Sequence, residues 1–206
     1  MKGWYSAFGK RLFDLIAGLI LFVLTLPLLA ITGLLVRLKL GRPVLFRQER
    51  PGKGGRSFTL AKFRTMLPAT SHSVTSQDDA ERMTGFGRVL RSTSLDELPE
   101  LYSVIKGDMS LVGPRPLLTE YLPRYSQEQA RRHDVRPGLT GLAQVSGRNA
   151  VNWPERLAMD VWYVDNLSLK LDLSILWRTV RAVVRREGTS AEGQATMAPF
   201  QGNEQE

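Results

Sequence analysis

Residues 15–36 read LIAGLILFVLTLPLLAITGLLV, a run of 22 positions without a charged side chain. As a helix they extend about 33 Å, against a membrane hydrocarbon core of about 30 Å. The run is apolar on every face, which a helix in a soluble core does not require. It is long for the core of a signal peptide, and no clear small-x-small cleavage site follows it. Two features complicate a simple crossing. Pro27 sits mid-run, where its missing N–H and its ring disturb the bond to the Val23 carbonyl. Lys2, Lys10 and Arg11 precede the run and Arg37, Lys39 and Arg42 follow it, so the positive-inside bias draws both ends to the cytoplasmic side. A helix broken at Pro27 that returns to its own face satisfies both, with the Thr25 hydroxyl or water serving the freed carbonyl. A proline-kinked span is the competing geometry. Arg11 and Asp14, three apart, are spaced to pair at the start of the segment.

Outside this run the chain is basic. Its 206 residues carry a net charge of +8, and because the last 18 hold Glu192, Glu204 and Glu206 with no Lys or Arg, residues 1–188 carry +11. Such a body expects an anionic partner: lipid head groups, nucleic acid or phosphorylated substrates. There is no cysteine, which excludes disulfides, thiolate zinc sites and cysteine nucleophiles. His72 and His133 are the only histidines, so any metal would be a hard, oxygen-bound ion such as Mg²⁺.

The pattern downstream predicts an α+β fold. Residues 43–49 and 57–66 alternate as strands, and the Pro- and Gly-rich 50–56 between them reads as a hairpin turn. Leu60, Lys62 and Arg64 then share one face, and Ala61, Phe63 and Thr65 the other. Gly52-Lys53-Gly54-Gly55 lacks the spacing of a phosphate loop. Residues 68–81 read as a mobile loop, followed by helices near 82–92, 95–105, 117–133 and 153–165. Turn-rich stretches fill 106–116 and 135–149. A last helix, Leu171–Glu187, ends at Gly188 and carries an apolar stripe of Leu173, Leu176, Trp177, Val180, Val183 and Val184. That stripe suits a core-packing helix and an interfacial helix equally. The organisation expected is a membrane helix over 1–40, a compact cytosolic domain over 41–188 and a flexible tail over 189–206.

The chemistry concentrates in Arg91-Ser-Thr-Ser-Leu-Asp-Glu-Leu-Pro-Glu100. Ser94-x-x-Glu97 has the form of a capping box, which by itself explains acidic residues at a helix start. The same geometry favours an arriving phosphate. Asp96, with an ordinary pKa of about 3.9, is ionised at neutral pH, and a carboxylate attacks phosphorus without a base to activate it. Neighbouring helix positions diverge by about 100°, so Asp96 can face the phosphorus while Glu97 holds a magnesium ion. Phosphoryl transfer also needs cations. Arg115, between Pro114 and Pro116, is pre-positioned; Arg148 follows a glycine-rich run, and Lys62 lies on the hairpin.

Several strings then coincide in order: the apolar segment with its central proline, KFRTM (62–66), RSTSLDELPEL (91–101), GDMSLVGPRP (107–116), RPGLTGLAQVSGRN (136–149) and DVWYVDNLSLKLDL (160–173). Over nearly the whole chain they resemble the bacterial sugar transferases, the monotopic phosphoglycosyl transferases, in particular their small, PglC-like members. The resemblance implies a re-entrant N-terminal membrane helix broken at Pro27, with amphipathic helices of the cytosolic domain at the membrane interface. It implies a catalytic pair, Asp96 and Glu97, with Glu97 as the Mg²⁺ ligand, and phosphate-binding Lys62, Arg115, Arg148 and Arg91. The implied reaction moves a sugar-1-phosphate, of an N-acetylated aminosugar, from a UDP-sugar to undecaprenyl phosphate. It releases UMP and passes through a phosphosugar on Asp96, initiating bacterial glycoconjugate synthesis. Implied partners are those two substrates and the lipids of the bacterial inner membrane, on its cytoplasmic face; a homo-oligomer is compatible with this and nucleic acid is not expected. Where relatives often carry Ser before the central proline, this chain has Leu26.

Overall fold

The computed structural model describes residues 5–68, 82–147, 151–185 and 199–202. After a short π-helical turn over Tyr5–Gly9, helix α1 covers Lys10–Leu40, 31 residues with Pro27 inside it. The helix continues through the proline. The Thr25 hydroxyl donates to the carbonyls of Leu21 (2.8 Å) and Phe22 (3.2 Å). It therefore does not serve Val23, because a threonine χ1 rotamer in a helix reaches the carbonyls three and four residues back.

Helix α1 is buried at both ends and exposed along its outer side. Lys10, Asp14 and Gly18 are buried, then Thr32, Val36 and Leu40, each series at four-residue intervals. Leu12, Ile16, Ile20, Leu24, Ile31 and Leu38 are exposed. The expected Arg11–Asp14 pair does not form. Arg11 instead donates to the carbonyls of Val104 and Ile105, both at 2.7 Å, at a helix end where carbonyls lack intrahelical partners. Asp14 accepts from the Ser110 hydroxyl and the Leu111 N–H, each at 3.0 Å. The Lys10 ammonium lies 2.8 Å from Asp172 and 3.7 Å from Asp14. Asp172 also accepts from the hydroxyls of Tyr5 (2.5 Å) and Tyr163 (2.7 Å). At the other end Arg64 donates to the Leu40 and Arg42 carbonyls, closing the helix against the hairpin.

Strands β1 (Leu45–Pro51) and β2 (Ser57–Phe63) form the expected antiparallel hairpin, with Phe46 opposite Lys62, Gln48 opposite Leu60 and Arg50 opposite Phe58. The turn is a 3-10 segment, Lys53–Gly55, whose Gly54 has φ 65°, a conformation that glycine adopts without penalty. The segment 69–81, where a mobile loop was expected, lies outside the described residues. Its flanks meet through a Leu67 N–H to Arg82 carbonyl bond of 3.1 Å. Helix α2 (Gly85–Ser92) follows, capped by the Thr84 hydroxyl, and then α3 (Glu100–Lys106).

A second sheet was not expected. Strands β3 (Ser110–Val112) and β4 (Gly138–Thr140) pair in parallel. Both lie in stretches read as turns, and three residues carry too little alternation to register as strand. Gly138 is required there: a Cβ would sit 2.1 Å from the Gly113 nitrogen. The single helix expected over 117–133 is also replaced. A 3-10 segment, Thr119–Arg124, holds Pro123; Ser126 and Gln129 form a capping box that starts α4 (Gln127–Ala130) afresh, and Arg131–Asp134 is again 3-10. A short helix α5 (Leu142–Ser146) follows β4. Helix α6 (Trp153–Asp165) begins as expected, its proline in the first turn and Asn152 capping Glu155.

Helix α7 (Leu169–Arg185) buries Asp172 and Ile175, and Leu176 packs against the core. Leu173, Trp177, Val180 and Val184 are exposed, so α7 packs on the core through Leu171, Ile175 and Leu176 while most of the expected apolar stripe faces away from it. Glu187 and Gly188 lie outside the described residues. Of the expected tail only residues 199–202 are described, and there Phe200 is 3 % exposed, its ring packed among other aromatic side chains.

The buried Asp172 carboxylate joins α1, α6 and α7. Asp172→Ala removes the nearest carboxylate from the Lys10 ammonium and an acceptor from two tyrosine hydroxyls, leaving Lys10 with Asp14 at 3.7 Å and Tyr163 with the Val112 carbonyl at 3.0 Å, and is expected to cost about 3 kcal/mol. Urea unfolding of the detergent-solubilised protein measures it; a midpoint shift no larger than that of exposed Ser174→Ala would contradict the role.

Candidate active site

Ser94 does not cap a helix. Its backbone has φ 56°, its side chain makes no capping bond, and Leu95–Glu97 form one 3-10 turn ahead of α3. The expected capping box is absent because Pro99 resets the helix start and the turn closes through Glu97 N–H to Ser94 carbonyl at 3.2 Å. Ser94 is the only non-glycine residue with positive φ among the described residues, a conformation costing on the order of 1 kcal/mol and concentrated at functional sites. It folds the chain so that Asp96, 4 % exposed, is buried.

Asp96 lacks a long helix behind it, so its charge is compensated by cations. Burial pushes its carboxyl up to about 6 and the neighbouring Glu97 adds to the rise, while Lys62, Arg91 and Arg115 pull it back. It remains mainly ionised at neutral pH. Lys62, on β2, is pushed down by burial and by Arg115, and supported by Asp96 and Glu97; its ammonium lies 5.8 Å from the Phe46 ring centre. Arg91, in the last turn of α2, donates to the Thr65 hydroxyl at 3.1 Å. Arg115 bonds Glu97 at 2.6 Å, and that carboxylate is the main cause of its raised pKa. The structure thus gathers Asp96, Glu97, Lys62, Arg91 and Arg115. Arg148 lies outside the described residues.

Three further groups complete the site and were not legible in the sequence. Glu100 is 5 % exposed, and burial, then Glu97, push its carboxyl up to about 8, so at neutral pH it is largely neutral. Arg50 donates to Gln48 at 2.7 Å and to the Pro116 carbonyl at 3.4 Å; burial and then Arg115 lower its pKa. Arg132, buried, bonds Asp160 (2.7 and 3.0 Å) and the Arg115 carbonyl (2.7 Å). A charge in the apolar stretch 157–163 was the one hint of Asp160.

Among the described residues no cluster of three or more His, Asp or Glu is arranged to hold a metal ion. Glu97 is already engaged by Arg115. This donor set fits Mg²⁺ in one form: one or two carboxylates, with the remaining coordination from substrate phosphates and water.

A buried carboxylate ringed by lysine and arginine has the charge arrangement that phosphoryl transfer requires. The chain belongs to the bacterial sugar transferase family, whose model matches residues 5–186. It is 51 % identical over 194 residues to the uncharacterized sugar transferase EpsL of Bacillus subtilis, covering 94 % of this chain and 96 % of that protein. It is 43 % identical over 185 residues to a UDP-glucose:undecaprenyl-phosphate glucose-1-phosphate transferase of Caulobacter vibrioides, covering 85 % and 69 %. It is 38 % identical over 201 residues to an undecaprenyl-phosphate galactose phosphotransferase of Salmonella typhimurium, covering 89 % of this chain but 42 % of that longer protein.

A carboxyl whose folded pKa is raised binds its proton more tightly when folded, so it weakens the fold increasingly as pH rises from the unfolded value toward the folded one. Glu100→Gln is therefore expected to be more stable than the unaltered protein at pH 8, by on the order of a few kcal/mol, with little difference near pH 4.5. Unfolding midpoints at the two pH values measure this; equal pH dependence in both proteins would show that Glu100 is not held neutral.

Proposed function

We propose that the protein transfers a sugar-1-phosphate from a UDP-sugar to undecaprenyl phosphate through a phosphosugar ester on Asp96. A carboxylate oxygen of Asp96 attacks the β-phosphorus; the bond to the bridging oxygen breaks and UMP departs with that oxygen and the electron pair. An oxygen of undecaprenyl phosphate then attacks the same phosphorus and the Asp96 carboxylate leaves, giving undecaprenyl diphosphate sugar. Neither step requires a proton, which suits a site built from carboxylates, lysine and arginine. The observation that carries the reading is Asp96 itself, buried yet kept mainly ionised by Lys62, Arg91 and Arg115. Arg115 and Lys62 hold the diphosphate, and Glu97 orients Arg115 through its 2.6 Å bond. Glu97, together with the substrate phosphates, would hold a Mg²⁺ ion, which would supply further neutralisation of the diphosphate charge. The resemblance favours an N-acetylated aminosugar, and the relatives named for undecaprenyl-phosphate transfers support the acceptor.

The contacts of α1 support a membrane geometry for this reading. Its N-terminal half packs on the domain as far as Phe22 and its C-terminal half from Leu29. The six residues between extend about 9 Å as a helix, far short of a bilayer core of about 30 Å. This supports a helix that enters one leaflet with Pro27 at its depth, returning both basic ends to the cytoplasmic face of the inner membrane. The exposed stripe on α7 supports an interfacial position for that helix as well. The active site then meets a lipid phosphate and a water-soluble nucleotide sugar at the same plane.

Asp96→Asn is expected to lower UMP release by roughly a thousandfold or more, and in the unaltered protein the rate is expected to fall as pH drops through about 6, where Asp96 takes up its proton. Near-normal turnover by the variant would refute the reaction. In this cysteine-free chain, single cysteines at Gly3 and Lys53 are expected to react with an impermeant reagent from one membrane face; labelling from opposite faces would establish a span.

A further inference from the structure

Within the described segment 199–202, Phe200 is packed into the domain. The Phe200 ring stacks on Tyr125 with centres 5.7 Å apart, and meets Tyr121 at 5.8 Å and Trp153 at 5.4 Å. Leu117 and Leu157 complete the cluster. Arg124 donates to the Phe200 carbonyl, so backbone and ring are both held.

This pocket lies directly behind Arg115. Leu117, two residues on, is one of its walls and is 7 % exposed. Arg132, which holds the Arg115 carbonyl at 2.7 Å, has its guanidinium 5.6 Å from the centre of the Tyr125 ring on which Phe200 stacks. Arg156 lies 5.2 Å over Trp153; burial lowers its pKa, and Arg115 is near enough for its charge to add to that lowering. A continuous line of contacts therefore runs from Phe200 through Tyr125 and Arg132 to the Arg115 backbone, and from the Arg115 side chain to Glu97. Packed interiors transmit displacement because they hold few voids. An empty Phe200 pocket frees Tyr125 and Leu117 to move, and Arg115 with them.

We propose that residues 199–202 form an intramolecular clasp that sets Arg115 for the diphosphate of the nucleotide sugar, with Phe200 as its positioning residue. The proposal rests on the reading of Arg115 as a diphosphate ligand. Removal of the clasp leaves Asp96 and Lys62 in place and loosens only the guanidinium side of the site. This makes the tail a determinant of turnover even though it lies outside the matched family region, residues 5–186.

The test compares the full-length protein with Phe200→Ala, Phe200→Trp and a chain ending at residue 198, measuring kcat/KM for UMP release from UDP-sugars. Misplacing a group by about 1 Å costs up to about a hundredfold, so Phe200→Ala and the shortened chain are expected to lose about tenfold to a hundredfold and Phe200→Trp much less. In an Arg115→Lys background Phe200→Ala is expected to have little further effect, the non-additivity of residues acting through one group. A peptide of residues 197–206 added in trans is expected to restore the shortened chain. Amide exchange at residues 115–118, faster in the shortened chain and slowed by the peptide, reports the clasp without any turnover. Unchanged kcat/KM in Phe200→Ala, an equal loss in the Arg115→Lys background, or a shortened chain that fails to fold cooperatively would each overturn the proposal. Absence of UMP release from the unaltered protein, with exchange still responding to the peptide, would count against the transfer reaction and leave the clasp standing as a contact.

Discussion

Two adjacent carboxylates cannot both stay ionised away from water unless cations are brought to them from elsewhere. Asp96 and Glu97 face that constraint, and much of the fold around them answers it. Lys62 arrives on the hairpin, Arg91 at the end of α2, and Arg115 on the segment after β3. The balance is close, since Asp96 is raised to about 6, leaving it a better base than a free aspartate while still charged at neutral pH. Glu100 meets the same constraint by remaining protonated, which spares the site a third negative charge.

The same logic operates where the apolar helix joins the domain. Lys10, Asp14 and Asp172 are buried, and two tyrosines and a serine hydroxyl satisfy the carboxylates. Such a cluster contributes modestly to stability against an apolar alternative but strongly penalises any other docking of α1. Because α1 contacts the domain near both ends, Asp96 is tied to that helix through packed contacts rather than through a flexible linker.

Elements with strong local signals were legible from the residues alone. The hairpin follows from alternation around a glycine turn, and the start of α6 from Trp153–Pro154, with proline in the first turn. The short parallel pair β3–β4 was not, because its residues are specified by backbone fit between glycines rather than by side-chain pattern. The Ser94 motif misled for a related reason: a capping box is a local rule, and Pro99 together with a left-handed Ser94 overrode it. Arg132, Asp160 and Glu100 look like surface charges in sequence, since their burial is a tertiary fact. Phe200 was hidden by the polar, low-hydrophobicity stretch that precedes it. Asp96, Glu97, Lys62, Arg91 and Arg115 were named from the order of motifs, which local physics alone did not separate from ordinary capping and surface charge.

The central claim is a covalent one, and mass spectrometry reads it directly. Protein is exposed to UDP-sugar and Mg²⁺ without lipid acceptor, quenched and digested. The account predicts a phosphosugar mass on the peptide containing Asp96, lost when undecaprenyl phosphate is supplied before quenching. An unmodified Asp96 peptide, with lipid-linked sugar still accumulating once acceptor is present, would contradict it.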